Sequence, residues 1–133
     1  MSALRPLVQD GGLTRTARLG DNVAVGRNIT TIATDANLTL TADQMAGGIV
    51  RFSSFSAGRT VTTDTAVAIL AQNPWMDIGD SYEIVVSSTA AFAATWAAGT
   101  GVTLAGRATT PASSYSIIVV TKTGAATVTL TVL

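Results

Sequence analysis

Threonine and apolar side chains alternate without interruption at the end of the sequence, over residues 126–133. An alternation with period two places Val128, Leu130 and Val132 on one face of a strand and the threonines on the other. The sequence therefore predicts a strand that has one face in a hydrophobic core.

Similar runs of Val, Ile, Thr, Ala and Ser recur upstream, separated by residues that favour turns. They predict further strands over 29–41, 49–52, 59–63, 81–87, 92–97, 101–105 and 115–121. Residues 42–46 and 66–70 are each typical of a short helical turn. Short strands about ten residues apart, with little helix, indicate a mainly all-β fold: an antiparallel sandwich, a jelly roll or a small barrel.

One run is apolar at every position, over 117–120 (Ile-Ile-Val-Val). A strand without alternation is typical of burial on both faces or of the centre of a sheet. We expect this run to anchor the core.

Residues 1–27 differ from the rest of the chain. Glycine and proline interrupt every regular period, so the sequence predicts neither an amphipathic helix nor a convincing strand there. The segment nevertheless has more apolar residues than a solvated tail usually has. We interpret 1–27 as an extended N-terminal arm that orders on a partner surface, and 28–133 as a single β-rich domain.

Composition restricts the chemistry. The 133 residues include no histidine and no cysteine, which removes histidine-based triads and metal sites, disulfides and thiolate chemistry. We therefore expect no catalytic residue, no cofactor and no metal. Eight basic residues balance eight acidic ones, so the chain lacks the basic stripe of a nucleic-acid-binding protein.

Only 12% of the residues are charged, which is low for a small domain that is exposed on all sides. Two interpretations remain open: a surface that meets other protein, or a solvated face rich in Thr and Ser. Low charge also leaves sheet edges free to associate. We expect self-association, as a trimer rather than a dimer.

Two local patterns have ordinary structural interpretations. Asp77, Asp80 and Glu83 lack the full spacing of a calcium loop and are typical of a turn that enters a strand. Gly99, Gly101 and the residues around them lack phosphate-loop spacing and predict a hairpin turn.

Neither a membrane helix nor a signal peptide is indicated. No apolar run approaches about twenty residues, and 1–6 lacks the basic and then apolar layout of a signal. We expect that the chain is not secreted through a signal and has no partner membrane.

Three stretches combine turn and strand residues in a fixed order: LTLTADQMAGGIVR at 38–51, DIGDSYEI at 77–84 and AAGTGVTLAG at 97–106. In these stretches, whose order and spacing span most of 38–133, the chain resembles the small head-decoration (cement) proteins of tailed bacteriophages. The patterns are shared with other virion modules such as head fibres, and 1–27 shows no comparable match.

The resemblance implies a β-rich structural protein that binds the outside of a mature capsid, commonly as trimers or dimers, and strengthens the shell. The implied partner is the major capsid protein. As capsid contacts we predict the arginines of the arm, whose planar forks suit carboxylates: Arg5, Arg15, Arg18 and Arg27.

Three alternatives remain. A head-fibre or receptor-binding module would use scattered aromatic residues to hold a glycan. A small-ligand barrel would enclose a cavity. An enzyme would need carboxylates that converge in a cleft.

Overall fold

The computed structural model describes residues 7–10, 13–16 and 28–133 of the chain. These residues form a mainly β structure with twelve strands and two short helices. In chain order they are β1 (Leu7–Asp10), β2 (Leu13–Thr16), β3 (Asn28–Ile32), β4 (Leu38–Leu40), α1 (Ala42–Ala46), β5 (Gly48–Phe52), β6 (Arg59–Thr63), α2 (Ala66–Gln72), β7 (Ser81–Ser88), β8 (Ala94–Ala97), β9 (Val102–Gly106), β10 (Thr109–Thr110), β11 (Ser114–Gly124) and β12 (Thr127–Val132).

Strands β1 and β2 form an antiparallel pair of their own, with Leu7 opposite Thr16 and Asp10 opposite Leu13. The prediction that no strand occurs before residue 28 is therefore wrong for these two stretches. The rest of the predicted arm lies outside the described residues.

The other strands form two sheets. The larger sheet has the order β3-β5-β7-β11-β12-β9, and the smaller one has the order β10-β8-β6-β4. From β3 to β8 the chain alternates between the sheets, so strands two apart in sequence are neighbours and run in the same direction.

This alternation corrects the prediction of an antiparallel architecture. The pairs β3–β5, β5–β7, β4–β6, β6–β8 and β12–β9 are parallel, and both sheets are mixed. The physical reason is that the connections from β3 to β8 cross to the opposite sheet and do not turn back as hairpins. The turn at 99–101 likewise joins β8 in one sheet to β9 in the other, so the predicted hairpin there is also wrong.

Both sheets contribute to one hydrophobic core. Val50, Ile84 and Ile118 come from the larger sheet, and Val61 comes from the smaller one; none has solvent exposure. Phe52 stacks on Phe55 with ring centroids 5.0 Å apart. The two sheets are thus held together by apolar burial.

The final strands match their prediction. β11 lies between β7 and β12, and Ile118 and Val120 are fully buried at the centre of the sheet. The alternate side chains Ile117 and Val119 are only partly buried on the opposite face. In β12, Val128, Leu130 and Val132 point into the core, as their alternation with threonine predicts.

Both predicted helical turns are present and capped. Thr41 and Gln44 form a capping box at the start of α1, and the carboxylate of Asp64 accepts a further bond from the Ala42 N–H at 2.9 Å. Thr65 caps α2, where its side chain accepts a hydrogen bond from the Ala68 N–H at 3.2 Å. Neither helix among the described residues is long enough to cross a membrane.

Candidate interaction surface

The predicted capsid-contact arginines fall almost wholly outside the described part of the chain. Arg15 lies in β2, whose backbone alone is described. Arg5, Arg18 and Arg27 lie outside the described residues. Their role as a group therefore stays a prediction, and the surfaces described below are those of residues 28–133.

The larger sheet has one face in the core and one face turned away from it. We call the second face the outer face. Its side chains come from alternate positions of the strands and from Leu133, whose N–H extends the pairing of β12 with β11 by donating to the Ile117 carbonyl at 2.9 Å.

A row of aliphatic residues crosses the outer face. Strand register places Ile29 beside Ile49, Ile49 beside Val85, and Val85 beside Ile117. Leu133 continues the row. We call these five residues the aliphatic stripe; with strands about 4.8 Å apart, it is about 19 Å long. Ile29 and Leu133 at its ends are 53% and 56% exposed.

The remaining outer-face positions are mostly threonine and serine. Within the strands of this face, among the described residues, only two are charged, Arg51 on β5 and Glu83 on β7, and both are exposed. Arg51 pairs in register with Ser87, four residues beyond Glu83, so the two charges are about 13 Å apart along the strands. They lie on opposite sides of the aliphatic stripe.

A second surface is the edge formed by β9. This strand pairs with β12 on one side and with no described strand on the other. Its sequence, Val-Thr-Leu-Ala-Gly, has no charged residue and no proline, which are the usual means of preventing pairing at an edge. Since no described strand pairs with this side of β9, its backbone can accept an added strand.

A shallow pocket of about 360 Å³ lies where β7 and β11 end. It is lined by hydroxyl side chains and one exposed aromatic ring, from Ser87, Ser88, Thr89, Ser113, Ser114 and Tyr115. Tyr115 is 62% exposed. The Ser88 hydroxyl donates to the Phe92 carbonyl at 2.8 Å, so it retains lone pairs that can accept a hydrogen bond.

The acidic cluster predicted to form a turn does so. The Asp77 N–H donates to the Asp80 carboxylate at 2.9 Å, and Gly79 adopts a φ of 96°. Within the described ranges, no three acidic side chains come together as a candidate metal site.

Two titratable groups have shifted pKa values that arise from structural contacts. Burial raises the pKa of Tyr82 to about 12, although a hydrogen bond from Asn73 opposes the shift. The hydrogen bonds from Ser56, followed by that from Arg59, lower the pKa of Asp35 to about 2. Tyr82 packs against Trp75 and Asp35 joins two loops, so both shifts have structural explanations.

Comparison with protein-family models, curated proteins and solved structures gave no match. The proposed function therefore rests on the surfaces of residues 28–133 and on the sequence resemblance. The aliphatic stripe was not predicted from the sequence. The signal was present as consecutive apolar residues, such as Ile49-Val50 and Val85-Val86, which place one apolar side chain on each face of a strand.

Proposed function

We propose that this chain is a structural virion protein that binds the outer surface of a phage capsid and stabilises the shell. The observation that carries this proposal is the uncharged, open edge of β9, since such an edge suits binding to another protein by strand addition. The resemblance of residues 38–51, 77–84 and 97–106 to head-decoration proteins supports the same role.

The proposed mechanism requires no catalytic group and no cofactor. A protein that binds only the expanded shell stabilises that state by mass action. Many symmetric copies, or several contacts from one oligomer, add avidity. We propose a trimer in preference to a dimer, synthesis in the host cytoplasm, and assembly on the major capsid protein.

The N-terminal arm is the second proposed contact. Arg5, Arg15, Arg18 and Arg27 would pair with capsid carboxylates as the arm orders on the shell. In this proposal the domain formed by 28–133 is a sandwich-type module, whose two layers are the larger and the smaller sheet.

Capsid binding by lysine variants tests the proposed role of the β9 edge. Thr103→Lys places a charge on β9, whereas Thr95→Lys places the same charge at an exposed position of β8, which has a neighbour on both sides. We expect Thr103→Lys to lower occupancy of undecorated capsids several-fold in co-sedimentation, and Thr95→Lys to bind as the wild type does. Equal binding by both variants would exclude the β9 edge as the contact.

One alternative has an observation in its favour. The pocket beside Tyr115 combines an exposed ring with hydroxyl groups, which suits a sugar in a head-fibre or receptor-binding module. Titration of the labelled protein with a panel of neutral and acidic oligosaccharides, followed by NMR, tests it. Binding that Tyr115→Ala abolishes and Tyr115→Phe retains would favour the alternative; no chemical-shift change would remove it.

A further inference from the structure

The aliphatic stripe is a partly exposed apolar line in an otherwise hydroxyl-rich face. Val85 and Ile117 at its centre are partly buried by their neighbours, but Ile29 and Leu133 are more than half exposed. Burial of such side chains is favourable because it removes apolar area from water. The stripe is therefore suited to contact with another apolar surface.

The charges beside the stripe restrict what that surface can be. Arg51 follows Ile49 by two residues, while Glu83 precedes Val85 by two residues on a parallel strand. One side of the stripe is thus basic and the other side is acidic. A partner whose charges match must present an acidic group to Arg51 and a basic group to Glu83.

A second copy of this chain meets that requirement. Consider copies that are related by rotation about an axis parallel to the stripe. The basic side of the stripe in one copy then faces the acidic side of the stripe in the next copy. Arg51 of one copy then lies opposite Glu83 of its neighbour. The two residues sit on adjacent strands, so they differ in height along the axis by about 4.8 Å, which long side chains can span.

The same rotation accounts for an exposed aromatic residue. Tyr115 and Val119 belong to the same strand, β11, and lie on opposite sides of Ile117. Rotation about the stripe therefore brings Tyr115 of one copy beside Val119 of the next, at the same height. Tyr115, which is 62% exposed in the single chain, gains an apolar neighbour.

From this geometry we infer that the outer face is the self-association surface of the protein, in a closed ring whose axis runs along the aliphatic stripe. The stripes form the apolar centre of the assembly, and each Arg51 pairs with the Glu83 of the neighbouring copy. Such a contact is heterologous, because it joins two different sides of the outer face, and the ring closes after a fixed number of copies. The inference deepens the proposed trimer by assigning its interface, and it rests on the self-association in the proposed function.

Charge reversal in the free, full-length protein tests the pairing. Arg51→Glu and Glu83→Arg each place like charges together at the interface, whereas the double variant Arg51→Glu/Glu83→Arg restores opposite charges. In sedimentation equilibrium we expect a trimeric wild type. Each single variant should dissociate at a concentration at least tenfold higher than the wild type does, and the double variant should recover most of the loss.

Asp43→Arg is the matched control, since it reverses an exposed charge on helix α1, which is not part of the outer face. It should associate as the wild type does, and circular dichroism should show that all variants are folded. A wild type that is monomeric throughout, single variants that match Asp43→Arg, or a double variant as weak as the weaker single one would each overturn the inference. Because no capsid is present, failure here is distinguishable from failure of the decoration role.

Discussion

The guanidinium of Arg59 donates two hydrogen bonds to one carboxylate oxygen of Asp35, from Nε at 3.0 Å and from Nη2 at 2.8 Å. The other oxygen accepts a bond from the Ser56 hydroxyl. These contacts tie the loop between β3 and β4 to the loop between β5 and β6. They also explain why the pKa of Asp35 is lowered from 3.8 to about 2, with Ser56 as the larger cause.

The lowered pKa predicts a stability change in acid. A carboxyl group whose pKa is lower in the folded state stabilises the fold above pH 3.8, and this contribution is lost as the pH falls toward 2. Asp35→Asn should remove that loss, so its unfolding free energy should fall less between pH 4 and pH 2 than that of the wild type. Denaturant titrations across this range provide the measurement. An equal fall in the unfolding free energy of the two proteins between pH 4 and pH 2 would contradict the assignment of the lowered pKa to Asp35.

The packing of Phe52 predicts how much the core loses in stability when this side chain is truncated. It is fully buried, stacks on Phe55 and lies 6.4 Å from Trp96 between ring centroids. Phe52→Ala should lower the free energy of unfolding by about 3–5 kcal/mol because it leaves a cavity. Phe92 is 40% exposed, so Phe92→Ala should cost about 0.5 kcal/mol or less. Chemical denaturation of both variants makes the comparison; similar losses would refute the difference in packing.

Substitutions at two glycines distinguish the cost of backbone strain from the cost of steric overlap. Gly79 and Gly106 have φ angles of 96° and 79°. A Cβ at Gly79 would meet nothing within 4 Å, whereas a Cβ at Gly106 would overlap the Val132 carbonyl oxygen. Gly79→Ala should cost about 1–2 kcal/mol from strain alone. Gly106→Ala should cost about 1–3 kcal/mol more. Thermal denaturation that ranks the two variants in the opposite order would contradict this account of β9 and β12.

The arm is tested by truncation. Removal of residues 1–27 should leave the β domain folded, because the described core residues of the two sheets all lie after residue 28. The truncated protein should bind undecorated capsids more weakly in co-sedimentation. Arg15→Glu together with Arg18→Glu should weaken binding in the full-length protein if these residues meet acidic groups. Full binding without the arm would show that 1–27 makes no contact with the shell.

Local patterns predicted most elements of residues 28–133 but not how they pair. The alternation in 127–132 and the helical turns at 42–46 and 66–70 depend on neighbours in sequence, so a single sequence reveals them. Parallel pairing of β3 with β5 and of β5 with β7 depends on connections that cross between sheets, which strand spacing does not encode. The two-residue strand β10 is too short to give a periodic signal.

The candidate surfaces were only partly accessible from sequence. Low charge predicted a surface that meets protein, but the aliphatic stripe requires the register that sets Ile49 beside Val85 and Val85 beside Ile117. In the arm, the Gly11-Gly12 dipeptide between two strand-like stretches was a turn signal that favours a hairpin. The interrupted hydrophobic period on either side hid the strands β1 and β2.

Addition of the purified protein to undecorated, expanded capsids tests the decoration role most directly. Each bound copy must be released before the shell opens, so the temperature at which the capsid breaks should rise with occupancy. Binding should saturate at a fixed ratio to capsid subunits, because symmetry defines the sites, and the rise should reach its plateau at the same ratio. Saturable binding that leaves the disruption temperature unchanged would contradict the role in shell stabilisation and favour a head fibre that displays a host-binding surface.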